Sequence, residues 1–207
     1  MNAEFNFLEY IIKDQVLIAP KNRVLQLINA VPISFINFHN QLEPPSSAVL
    51  ALSANSGNDL CSSISCALNC VTDQHLLLEK ICNFLEDNDL SDTKMYAKNY
   101  IVPGMGHPSI KGDDPRVQRL LNDFGDIAGR RVSFYLRLEK ILPVKVNIGG
   151  IMCALLLDSG ICKENVLFFP LIGRIFGWTQ IYWATKKSSN KVLPSHKLIN
   201  ESQPNVF

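Results

Sequence analysis

An all-α protein is expected from three features of the sequence. Apolar residues recur at helical spacing along most of the chain, capping residues and Gly or Pro mark helix ends, and strand signals are few. The first stripe carries Val24, Leu25, Leu27, Ile28 and Val31, and Pro32 interrupts it. Glu43-Pro44-Pro45-Ser46-Ser47 is a loop opening a helix that runs to Asn55, with proline tolerated in the first turn. Ser56-Gly57-Asn58 breaks it, and a second piece carries Leu60, Ile64, Ala67 and Leu68. Thr72-Asp73 can cap the run from Leu76 to Leu85, which dies in the acidic turn Glu86-Asp87-Asn88-Asp89, and Ser91 can cap a short helix. Asp114-Pro115 is a strong start, with Asp as N-cap and Pro at the first helical position. Val117, Leu120, Leu121, Phe124 and Ala128 give that helix its apolar face, and the pattern resumes at Val132, Tyr135, Leu136 and Leu138 before ending near Pro143. Gly149-Gly150 opens an apolar helix that stops at Gly160, a fitting residue just past a helix end. The last long helix is expected from Glu164 to Thr185, kinked at Pro170, and the tail from Lys186 is polar.

The chain has 207 residues, 47% hydrophobic and 19% charged, with a net charge of +1. This size suits one domain, or one domain with a smaller inserted lobe, and buries about two thirds of the unfolded surface. The apolar content is too high and the net charge too low for a disordered chain. No basic stripe of the kind that binds nucleic acid is present, so partners must be recognised at a local site. The start, with Glu4 where a secretory leader needs basic residues, reads as a cytoplasmic protein. The most continuous apolar run, Ile148 to Leu157, is half the length of a membrane span, which needs about 20 residues. The six cysteines, at 61, 66, 70, 82, 153 and 162, form no CxxC pair, so no zinc or other metal site is expected. Cys61, Cys66, Cys70 and Cys82 fall in apolar helical patterns and read as reduced core thiols.

The segment most suggestive of chemistry is Pro103-Gly104-Met105-Gly106-His107-Pro108, followed by Lys111 and Asp114-Pro115-Arg116. Glycines let backbone amides approach a ligand closely. A histidine in such a loop can polarise a carbonyl or donate a proton, and Lys111 and Arg116 suit phosphate or carboxylate. The plain alternative is a turn with a surface histidine. Arg174, inside the apolar run LIGRIFGW, needs a partner, whether an anionic ligand or a structural carboxylate. Trp178 and Trp183 read as core or dimer contacts, and His196 and the tail lysines as solvated residues.

The string VPGMGHPSIKGDDPR resembles the active-site loop of the citrate synthase superfamily, and is most similar to its short citryl-CoA lyase-like members. PPSSAVLALSANSGNDLCSSISCAL, NCVTDQH and VNIGGIMCALLLDSGI followed by LIGRIFGW resemble further family segments in the family's order. Together they cover roughly residues 40 to 185. The resemblance implies a two-lobed helical fold, with residues 1–74 and 148–207 in a large domain and 75–147 in a small one. It implies a homodimer that binds a CoA thioester between the lobes and makes or breaks a C–C bond with a keto-dicarboxylate such as oxaloacetate. No tightly bound cofactor is implied. His75 matches the histidine that stabilises the enolate oxygen and His107 the one that polarises the acceptor's carbonyl. Arg116 and Arg174 match carboxylate-binding arginines, and the upstream substrate-histidine position falls on Gln41, or on His39 if the register slips. Lys111 falls where a cation meets the CoA phosphates, and the amides of Pro103, Gly104, Met105 and Gly106 lie in the loop expected around the adenine.

The departures concern the same chemistry. Where the family has the aspartate that removes the α-proton, this chain has Gly149. After His75, the usual Gly-Gly-Ala is replaced by Leu76-Leu77-Leu78. Asp158 lies nine residues from Gly149 on the same helix, roughly 13 Å at 1.5 Å per residue, too far to substitute. Loss of one general base typically removes about 10²–10⁴-fold in rate. Two readings follow, a Claisen-type enzyme or a catalytically impaired relative that binds CoA as a sensor or complex subunit.

Overall fold

The structure is a computed structural model that describes residues 12, 14–39, 45–70, 78–97, 101–107, 110, 112–166 and 168–188. Among these residues the elements are helices α1 (Lys21–His39), α2 (Pro45–Asn55), α3 (Leu60–Asn69) and α4 (Leu78–Asp87), then α5 (Pro115–Phe124), α6 (Arg130–Leu138), α7 (Ile148–Asp158), the short α8 (Lys163–Val166) and α9 (Phe168–Ser188). Short 3₁₀ turns occupy Thr93–Ala97 and Gly125–Ile127. The described residues form no strand beyond an isolated bridge between Met105 and Val146, so the fold is all-α as expected. No helix among them is long and apolar enough to cross a membrane.

The chain divides into two compact units, residues 1–34 with 76–171 and residues 35–75 with 172–207. The expected division put the second boundary at 147; in the structure α7 and α8 pack with the 76–147 segment.

The first unit is built around α7. Its sequence, IGGIMCALLLD, is apolar on every side, and every residue of it is buried. A helix apolar all round must be surrounded, and α4, α5, α6 and α8 pack against it. Those neighbours are amphipathic, with Ile81, Cys82 and Leu85 of α4, Val117, Leu120 and Phe124 of α5, and Val132, Tyr135 and Leu138 of α6 turned inward. Leu121, Ala128 and Leu136, expected on the apolar face, are half-buried or exposed. The one polar residue of α7, Asp158, accepts from the backbone N–H groups of Gly129 (2.8 Å) and Val132 (3.2 Å) and pairs with Arg131 at 3.3 Å. It therefore caps α6, whose own cap residue, Gly129, has no side chain to do so. A Cβ at Gly129 would lie 2.7 Å from the Asp158 Cγ, so only glycine fits. Gly160 has φ of +93° and a Cβ there would meet Ile18 N at 2.8 Å, because the incoming chain crosses at this point and Ile18 N–H donates to Ser159 O.

The second unit packs α2, α3 and the later part of α9 around Leu50, Ala54, Ala67, Trp178, Ile181 and Tyr182. The α2–α3 turn falls at Ser56-Gly57-Asn58, and Asp59 caps α3 through Ser62 N–H at 2.8 Å. Trp178 is a core residue and Trp183 is half exposed.

Several local expectations are corrected. Pro32 does not end its helix, and α1 runs continuously from Lys21 to His39. Proline removes one backbone bond, and the flanking apolar contacts of Val24, Leu27, Ile28 and Val31, all buried, hold the helix through it. Ser91 is not the cap of the 3₁₀ turn; Asp92 is, through Lys94 N–H at 2.9 Å. The expected 164–185 helix is two elements, and Pro170 sits in the first turn of α9, where its missing N–H has no intrahelical partner to lose. Of the four thiols expected in the core, only Cys82 is buried, and the second buried thiol is Cys153; Cys61 is exposed and Cys66 and Cys70 are half-buried. Thr72, Asp73, His196 and the tail from 189 lie outside the described residues.

Candidate functional site

Residues 102–107 form a tight loop against the segment that leads into α7. Gly106 N–H donates to Lys145 O (2.7 Å), Asn147 N–H donates to Gly104 O (2.9 Å), and the Asn147 side-chain N–H donates to Gly106 O (2.7 Å). Asn147 also caps α7 by accepting from Gly150 N–H at 3.0 Å. Tyr135, from α6, donates its hydroxyl to Pro103 O at 2.7 Å. The glycine at 104 is required twice, by φ of +87° and by contact, since a Cβ would collide with Tyr135 and lie 2.8 Å from Gly150 Cα. Met105 N–H donates to Val102 O, so the Met105 and Gly106 amides are both bonded within the chain.

His107 follows directly and is half-buried. Its Nδ1 accepts from Ile110 N–H at 3.0 Å, which leaves the neutral ring's proton on Nε2. Burial first, and then the Arg116 cation, hold its pKa below the ordinary histidine value, against an opposing pull from Asp114. The ring is thus kept neutral and presents an N–H donor.

Asp114 caps α5 through Arg116 N–H (2.9 Å) and takes the Arg116 guanidinium in a two-pronged ion pair, Nε to Oδ1 at 3.0 Å and an Nη to Oδ2 at 2.7 Å. The Asp114 side chain is only 2% exposed, so pairing is what makes its charge tolerable. A cavity of about 390 Å³ opens here, lined by Gly106, His107, Ile110, Asp114, Lys145 and Asn147. Lys145 at its rim lies 3.7 Å from Asp113 and 4.0 Å from Glu139.

His107, Arg116 and the 103–106 loop therefore come together in one unit. Arg174 is buried on α9 in the other unit. His75, Gln41 and Lys111 lie outside the described residues. Gly149 is buried in the first turn of α7, where a Cβ would meet Leu78 at 3.2 Å and Ile81 at 3.3 Å. Asp158, weighed as a replacement, is committed to the start of α6, and Asp114, close to His107, is paired with Arg116. No group of three His, Cys, Asp or Glu that could hold a metal occurs among the described residues.

Sequence reasoning missed Asn147, Tyr135 and Lys145. Asn147 was detectable, because Asn directly before an apolar helix is a favoured cap; its second bond, to Gly106, was not.

Solved structures share this arrangement of helices. The citryl-CoA lyase from Hydrogenobacter thermophilus aligns with a TM-score of 0.76 and 20% identity over 94% of this chain and 83% of its own. The citrate synthase from Pyrobaculum aerophilum aligns with a TM-score of 0.71 and 17% identity over 91% of this chain and 50% of its own. The chain has the citrate synthase-like fold. A third structure with this fold, the Methanosaeta concilii ATP citrate lyase D541A mutant in complex with (3S)-citryl-CoA, aligns with a TM-score of 0.67 and 16% identity over 84% of this chain and 33% of its own. This chain thus spans most of the lyase and half or less of the other two. No protein-family model matches the sequence, and no curated protein matches it.

Proposed function

We propose that this protein binds a CoA thioester of the citryl-CoA class at the His107 loop and makes or cleaves the C–C bond between an acyl-CoA, such as acetyl-CoA, and a keto-dicarboxylate such as oxaloacetate. The observation that carries the reading is His107 itself, neutral, anchored at Nδ1 by Ile110 and lining a cavity beside Arg116. An imidazole so held is a donor at Nε2. It can stabilise the oxygen that gains charge as a keto carbon is attacked, and the same oxygen when the bond is cleaved. In this reading His75 stabilises the thioester enolate, and Arg116, Arg174 and Gln41 hold the substrate carboxylates. Lys111 meets the CoA phosphates and Pro103 to Gly106 border the adenine. The working form is a cytoplasmic homodimer without a tightly bound cofactor.

The α-proton is the weak step. With Gly149 in place of a carboxylate, turnover is expected to fall about 10²–10⁴-fold below that of an intact site. Leu78 and Ile81 beside Gly149 favour the second reading, a relative that binds CoA and serves as a regulatory or complex-forming subunit.

The test follows CoA species by mass spectrometry after incubation with citryl-CoA, and separately with acetyl-CoA plus oxaloacetate. Slow turnover that drops at least about 10²-fold in His107→Ala supports the enzyme reading. Saturable CoA-thioester binding with no turnover at near-stoichiometric protein supports the second. Neither binding nor turnover contradicts both.

A further inference from the structure

Three bonds fasten the loop to residues 145–147, and two of them are between backbone groups. The third comes from a side chain, from Asn147 to Gly106 O at 2.7 Å across 41 positions. That carbonyl belongs to the peptide plane whose other end is the His107 N–H, because the peptide unit is planar. Fixing the direction of the carbonyl therefore fixes the amide of His107. Gly106 N–H is held by Lys145 O, but φ is +75° and nothing lies within 4 Å of where a Cβ would stand, so no packing fixes the peptide plane that follows. Beyond the ring, Ile110 N–H holds Nδ1.

We infer that Asn147 is a positioning residue for His107, setting the Gly106–His107 peptide plane while its other side-chain atom caps α7. The inference rests on the reading of His107 as the carbonyl donor, and its test does not depend on turnover. The two duties of Asn147 use different atoms, so they are separable. Asn147→Ser and Asn147→Asp both retain an oxygen able to cap Gly150 N–H, and Ser and Asp are about as good at this as Asn. The Asp carboxylate has no proton to donate to Gly106 O, and the Ser hydroxyl ends one bond short of the Asn147 amide nitrogen.

The experiment compares the full chain and both variants by thermal melting and by NMR of ¹⁵N-labelled protein, following the Ile110 amide and the titration of the His107 ring. The expected result is melting within a few degrees of the unaltered protein, a shifted Ile110 amide, and a His107 pKa that rises toward the ordinary value of about 6.5. Where turnover is measurable, kcat falls more than KM changes. Folded variants in which His107 and Ile110 behave as in the unaltered chain overturn the inference and leave Asn147 a cap. Should both variants fail to fold, the unaltered protein decides. Slowed hydrogen exchange of the Asn147 side-chain amide supports the inference, and exchange as fast as free asparagine overturns it. Absence of turnover with these signals as expected contradicts the functional reading and leaves the positioning role standing.

Discussion

At Gly104 the backbone is left-handed, with φ of +87°, and a Cβ would collide with Tyr135; at Gly149 the backbone is helical and a Cβ would meet Leu78 and Ile81 at 3.2 and 3.3 Å. The two glycines stand a few residues from the same hydrogen-bonded clamp, yet only the first is imposed by geometry. Gly104 lets the loop close against Gly150 and Tyr135. At Gly149 a Cβ would press on three side chains, Asn147 Oδ1, Leu78 and Ile81, and each would have to yield by only a few tenths of an ångström. The carboxylate missing from the position the family resemblance marks is therefore a matter of chemistry. The loop proposed to hold a thioester and the position that would hold its base make different demands, backbone closure at one and side-chain room at the other, and they meet at Asn147.

Gly149→Asp tests that contrast most severely. It is expected to raise turnover of citryl-CoA, or of the condensation, by about 10²–10⁴-fold, the usual worth of a general base. The cost in stability is about 1–3 kcal/mol, because a carboxylate enters apolar packing. A folded variant with unchanged turnover would mean that more than one group is lost. Gly104→Ala should act first on structure, by forcing the loop open. The left-handed conformation and the collision together are expected to cost about 3–4 kcal/mol in denaturant unfolding. A loss below about 1 kcal/mol would show that the loop yields, and the contrast between the glycines would fail. Asp158→Asn sharpens the comparison from outside the site. It leaves the half-buried Arg131 without its carboxylate and weakens the cap of α6, an expected loss of about 2–3 kcal/mol with CoA-thioester affinity retained.

The smallest effect is that of pH. The folded pKa of His107 lies below its ordinary value, so the native state binds fewer protons than the unfolded one. The contribution of the neutral ring is complete above about 6.5 and is lost as pH falls through the folded pKa. Protonation removes the acceptor for Ile110 N–H, so thioester affinity is expected to hold from pH 8 to about 6.5 and to weaken below that. Direct titration of the ring checks this, and a midpoint at or above 6.5 would contradict it.

What was legible in the sequence was local. Asp114-Pro115, Ser56-Gly57-Asn58 and Gly160 mark their boundaries through contacts within a few residues, and each falls where expected. The helix through Pro32 was not legible, because tertiary packing outweighs one lost backbone bond. Nor was the cap of α6, supplied by Asp158 from 29 positions away, or the Asn147 clamp on Gly106. The His107 loop could be singled out from its composition and family resemblance, whereas the commitment of Asp114 to Arg116 required the fold.

The account's central claim is that the His107 loop is a working thioester site even without a base at 149. The most direct measurement adds citryl-CoA to the ¹⁵N-labelled, unaltered protein and follows the His107 ring, the Ile110 amide and the Arg116 side chain by NMR. The account predicts saturable shifts at all three, whether or not the thioester is consumed, and their loss in His107→Ala. Saturating citryl-CoA that leaves these three signals unmoved would contradict it.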